Sequence, residues 1–108
     1  MSTVGWATAF IEKLRQGETV TFRPRGNSMT GKIESGQLCT VDPVADTKML
    51  EIGQVVLCRV HGREFLHLVK GTRRAKENTQ YMIGNNKGHV NGWVRHDSIF
   101  GVLTKVED

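Results

Sequence analysis

Cysteine is scarce in this chain: its 108 residues include two, Cys39 and Cys58. Both lie inside apolar runs, QLCTV and VVLCRV, and outside any Cys-x-x-Cys spacing, which argues against the common zinc and redox motifs and marks them as buried thiols. Long apolar stretches are also missing. No segment approaches the roughly 20 apolar residues a membrane helix needs, and the opening MSTVGWATAFIEKLRQG has neither the basic start nor the unbroken apolar stretch of a secretory signal. A cytoplasmic protein without membrane attachment is therefore expected. The spacings of His61, His67, His89 and His96 match no common ligand pattern, so no metal or other cofactor is expected. No repeat, low-complexity tract or linker divides the sequence, and a chain of this length closes one core, which gives a single domain over residues 1–108.

What is present is ordinary globular composition, with 38% apolar and 24% charged residues. A formal charge of +4 and a pI near 9.4 favour acidic partners. No recognition helix or stacking motif accompanies that charge, and the residues before the first strand suffice for one helix but not a helix-turn-helix, so a nucleic-acid partner is not expected. Val4, Trp6, Ala7, Phe10, Ile11 and Leu14 recur at helical spacing and predict one amphipathic helix from Ser2 or Thr3 to about Gln16, within an N-terminal segment 1–17. Thereafter, over 18–108, the pattern changes to short β-branched runs at 19–22, 37–41, 54–60, 64–69, 80–83 and 98–106. Turn signals separate them, among them Gly26-Asn27, Gly71-Thr72 and the stretch from Gly84 through Gly92. His61-Gly62-Arg63 is short enough for a hairpin. Arg73, Arg74 and Lys76 read as a solvated basic loop between two strands. Many short strands behind one helix predict a mostly-β fold: a coiled, partly closed antiparallel structure.

The stretch RGNSMTGKIESGQLCTVDP, residues 25–43, carries the chemistry. A serine between a glycine-bearing turn and a strand exposes its hydroxyl, and neighbouring backbone N–H groups can converge on one point as an oxyanion site. Ser28 is the candidate nucleophile. Gly26 through Lys32 also has the spacing of a phosphate-binding loop up to its lysine, but Ile33 stands where Ser or Thr must hold Mg²⁺, and no helix pattern follows.

Gly26-Asn27-Ser28-Met29, then Gly36, the strand QLCTVDP and Gly53-Gln54-Val55-Val56, resembles the signature shared by LexA-type repressors and signal peptidases. The resemblance continues through HLVKG, similar to the run around the base in the family's histidine-bearing branch, and through YMIGNN, NGWV and FGVLTKV near the end. It implies the LexA/signal-peptidase type of β fold and a Ser/His dyad in which His67 is the general base. Ser28 and Met29 would then supply oxyanion donors, Gly26 and Asn27 would line the substrate path, and the substrate would be an extended peptide or protein segment, the chain's own N-terminal arm included. Imidazole, with an ordinary pKa near 6.5, is poised to accept a proton at neutral pH, whereas lysine in the same role needs a large depression.

Two departures from that pattern stand out. The family's acidic orienting residue has no counterpart between Gly84 and Gly92, which leaves Asn85, Asn86 and Asn91 as candidates to hold the imidazole and Asp97 as the next carboxylate downstream. Exchanging carboxylate for amide at the equivalent place in trypsin costs about 10⁴ in rate. The proline that usually follows Ser-Met-x is replaced by Gly31. Two expectations follow: a Ser/His peptidase, or a catalytically inactive binding module on the same fold, such as a phage or mobile-element protein acting on a host regulator. Ala7-Thr8-Ala9 has the small-x-small form that signal peptidases cut, but it falls within the expected helix, where the backbone is not extended for attack.

Overall fold

A computed structural model describes residues 5–44 and 50–108. Helix α1 spans Thr8–Arg15 and is followed by seven strands: β1 (Val20–Phe22), β2 (Leu38–Pro43), β3 (Val55–Val60), β4 (Arg63–Ala75), β5 (Asn78–Gly84), β6 (Val90–Arg95) and β7 (Ile99–Glu107). They form one antiparallel sheet in the order β1-β2-β7-β3-β4-β5-β6. The fold is thus mostly β with one leading helix, and the sheet keeps two edges, β1 and β6, rather than closing into a barrel.

Helix α1 buries Ile11 and Leu14, each burial stabilising by roughly 1.5–3 kcal/mol. They join Val55 and Leu57 of β3, Leu66 and Leu68 of β4, and Met29 and Ile33 in one apolar cluster. Alternation along β3 sends Val56, Cys58 and Val60 to the opposite face, where they pack with Val69, Tyr81, Ile83 and Val94. Both thiols, Cys39 and Cys58, are free and buried, and burial pushes the Cys58 thiol up to about 12.

The second cluster is enclosed because the sheet rolls. In a flat sheet β6 would lie about 14 Å from β3, three strand spacings away. A Cβ built on Gly92 of β6 would instead be 3.2 Å from Val60 Cγ1 at the end of β3 and 3.1 Å from His61 Nε2. Register shifts at Val69/Gly71 and Ile83/Gly84 supply the local kinks that such curvature needs.

Three expectations require correction. The helix starts at Thr8, with Ala7 as its N-cap; the expected start at Ser2 or Thr3, and Val4, lie outside the described residues. Gly71-Thr72 is not a turn, and Arg73 and Arg74 are not in a loop: all belong to β4, and only Lys76 sits in the tight connection to β5. The missing side chain at Gly71 leaves room for Met82 and Trp93, which a Cβ there would meet at 3.3 and 3.8 Å, while Arg73 stacks over the Trp93 ring at 4.2 Å. The stretch from Gly84 through Gly92 is likewise not all turn, since β6 begins at Val90. The His61-Gly62 hairpin forms as expected. Both residues have positive φ, 50° and 79°, the backbone a two-residue loop requires to follow the twist of its strands.

Candidate active site

Ser28 opens a single helical turn. Ile33 N donates to Met29 O at 2.8 Å and Lys32 N to the same oxygen at 3.0 Å, while the Met29 side chain anchors the turn in the core. No helix follows Lys32, which removes the phosphate-loop geometry. Ser28 itself is exposed. The turn is held from the far end of the sheet: Asn86 N donates to Ser28 O at 3.0 Å, and Asn86 Nδ2 donates to Thr30 O at 2.9 Å. Gly31 lies at φ +100° with the Asn86 amide 3.1 Å from where a Cβ would stand. Proline, locked near φ −65°, cannot adopt that backbone, which accounts for the glycine.

His67 is in the middle of β4, opposite Val56 of β3. It is 7% exposed, and its ring stacks on that of Phe65 at 4.9 Å between centroids. Nε2 lies 3.2 Å from Ser28 Oγ, and Nδ1 lies 2.7 Å from Asn91 Oδ1. An amide oxygen can only accept, so Nδ1 carries the proton and the Nε2 lone pair faces the serine hydroxyl. Burial, opposed by the Asn91 hydrogen bond and reinforced by His89 and Lys70, lowers the His67 pKa below its ordinary 6.5. The imidazole is therefore neutral at neutral pH, the form a general base needs.

Of the three asparagines, only Asn91 reaches the imidazole. Asn85 Oδ1 instead accepts from Lys87 N and His89 N at 2.8 and 2.9 Å, shaping the β5–β6 turn, and Asn86 supports the serine loop. Asp97 pairs with Arg95 at 3.3 Å on the surface. Among the described residues no carboxylate is hydrogen-bonded to His67. Among the described residues no hydrogen bond runs from the Ser28 or Met29 N–H group to an acceptor. Gly26 lines the adjoining groove, its N–H donating to Ser35 Oγ at 3.1 Å; Asn27 does not line it and uses its carbonyl to cap Thr30.

The dyad opens onto a groove of about 850 Å³. Its apolar wall comprises Trp6, Phe10, Phe22, Met29, Ile33 and Leu66, with Phe10 stacked on Phe22 at 4.6 Å and Trp6 edge-on to it at 5.5 Å. Sequence reasoning placed Trp6 and Phe10 in the apolar pattern of the amphipathic helix and did not assign them to a groove. It also missed Glu64, whose buried carboxylate ties the N-terminal segment to β4. Oε1 accepts from Ala7 N at 2.7 Å, and Oε2 accepts from Thr8 Oγ1 at 2.8 Å and Arg59 Nη2 at 2.9 Å. The Trp6 indole donates to Glu64 O at 3.0 Å. The signal was available: Glu64 falls two and four residues before Leu66 and Leu68, on the face of the strand that must be buried.

Compared with known proteins, the chain matches no protein-family model and no curated protein sequence. Among the described residues no helix is long and apolar enough to cross a membrane.

Proposed function

We propose that this protein is a cytosolic serine endopeptidase of the LexA/signal-peptidase type, acting on extended peptide segments through a Ser28/His67 dyad oriented by Asn91. The observation that carries this reading is the continuous chain Ser28 Oγ, His67 Nε2, His67 Nδ1 and Asn91 Oδ1, with separations of 3.2 and 2.7 Å, which has the nucleophile–base–orienter order of activated hydrolases. Two free buried thiols accord with a reducing compartment.

In the proposed reaction Ser28 Oγ bonds to the substrate carbonyl carbon as its proton passes to His67 Nε2. The Ser28 and Met29 N–H groups stabilise the resulting oxyanion. Collapse breaks the C–N bond, with His67 returning the proton to the leaving amine. Water, deprotonated by the same nitrogen, then hydrolyses the serine ester and regenerates the hydroxyl. Ala7 is wholly buried and Ala7-Thr8-Ala9 enters the helix, so this tripeptide is not presented for extended binding, which favours a separate chain as the substrate. The test is cleavage of a peptide library by the native protein and by Ser28→Ala. Cleavage that Ser28→Ala lacks supports the reading, and equal residual cleavage in both overturns it.

The amide at Asn91 favours a second reading, the inactive binding module. A carboxylate would stabilise the imidazolium formed during attack, and a neutral amide does so less.

A further inference from the structure

The groove carries a chemical pattern of its own. One wall is aromatic and aliphatic and is wide enough for a large side chain. Its charged margin is uneven. Arg23, Arg25 and Arg63 all line it, and none has a carboxylate partner among the described residues. The lining carboxylates are fewer: Glu64 is paired with Arg59 and also accepts from Thr8 and Ala7, which leaves Glu34, accepting the Gly31 N–H at 2.9 Å, as one unpaired carboxylate against three arginines, of which Arg23 donates to Gly36 O at 2.8 Å. The groove therefore pairs an apolar recess with unneutralised positive charge, while Ser28, His67 and Asn91 line the same space. A partner with neither a bulky apolar group nor negative charge would leave both features unused.

We propose that this groove selects an extended acidic peptide segment that seats one large apolar side chain, such as Leu, Met or Phe, against Trp6, Phe10 and Phe22. This inference rests on the peptidase reading for the fate of the bound segment but not for its binding. A recess of this size discriminates against small side chains by contact area, each missing methylene weakening binding about tenfold or more. The arginines contribute chiefly to capture rate and orientation, in a salt-dependent manner. Trp6 is the specificity-determining residue best suited to substitution, since it is 51% exposed while Phe22 is buried.

The experiment is titration calorimetry with Ser28→Ala protein and three synthetic peptides: acidic flanks around a central Leu, the same flanks around a central Ala, and lysine flanks around the central Leu. The acidic Leu peptide is expected to bind at least about tenfold more tightly than either of the others. Arg63→Glu should reduce the preference for acidic flanks and Trp6→Ala the preference for Leu over Ala, each with a circular-dichroism spectrum unchanged from the parent. Equal affinity for the Leu and Ala peptides, or for acidic and lysine flanks, overturns the proposal. Native protein tested in parallel separates the two claims: selective binding without cleavage defeats the peptidase reading alone, and cleavage without this selectivity defeats the groove assignment alone.

Discussion

Asn91 Oδ1 and His67 Nδ1 lie 2.7 Å apart, joining two strands that are not neighbours in the sheet. The contact exists because the sheet rolls and carries β6 back over β4. It fixes the imidazole tautomer without supplying charge, and it sets the first prediction. Asn91→Asp places a carboxylate at the same reach, stabilises the imidazolium and raises the His67 pKa. Peptide cleavage, measured as kcat/KM, is expected to rise at least about tenfold. An unchanged or lower rate in a folded variant contradicts the orienting role of Asn91.

Activity should follow the neutral imidazole. Because the His67 pKa is lowered, chiefly by burial, kcat/KM should rise with pH and reach half its plateau below pH 6.5. Stability moves in the same direction. Between the lowered folded value and 6.5 the unfolded chain binds the proton that the folded chain refuses, so stability grows with pH across that window, is complete above 6.5, and is lost as pH falls through the folded value. Thermal melts of the native protein and His67→Gln across this range check it: the variant should lack this part of the pH dependence.

Glu64 gives a separate acid-sensitive step. Burial raises its pKa, but hydrogen bonds from Arg59, Thr8 and Ala7 together outweigh burial and hold it below its ordinary 4.5. Its contribution is therefore present above that value and lost as pH falls through the lower folded one. Glu64→Gln keeps the shape and removes the charge, and is expected to cost about 1–3 kcal/mol in denaturant unfolding. It should also loosen Trp6, readable as red-shifted indole emission in a Trp93→Phe background. A neutral effect on both contradicts the clamp.

Much of the fold was legible because the signals were local. The 54–60 and 64–69 runs alternate or are continuously apolar, and His61-Gly62 sets their register, which also places His67 in a buried strand. Where prediction stopped short, tertiary contacts outweighed local cues. Gly71 reads as a turn but accommodates Met82 and Trp93 inside a long strand. Val90-Asn91-Gly92 reads as part of a glycine-rich loop but forms a strand because Gly92 fits against Val60 and His61. The helix begins late because the N–H of its N-cap residue Ala7 and the hydroxyl of Thr8 meet the carboxylate of Glu64, 57 residues from Ala7, a contact no spacing rule can supply. For the same reason sequence spacing does not choose among Asn85, Asn86 and Asn91, whereas the roll of the sheet brings Asn91 to His67.

The nucleophilic character of Ser28 is tested most directly by intact-mass spectrometry after incubation with a fluorophosphonate, a reagent that bonds to activated serine hydroxyls. One adduct is expected on the native protein, mapped to Ser28, forming at least about 100-fold more slowly in His67→Gln. No adduct on the folded native protein, or an adduct forming equally fast without His67, would contradict it.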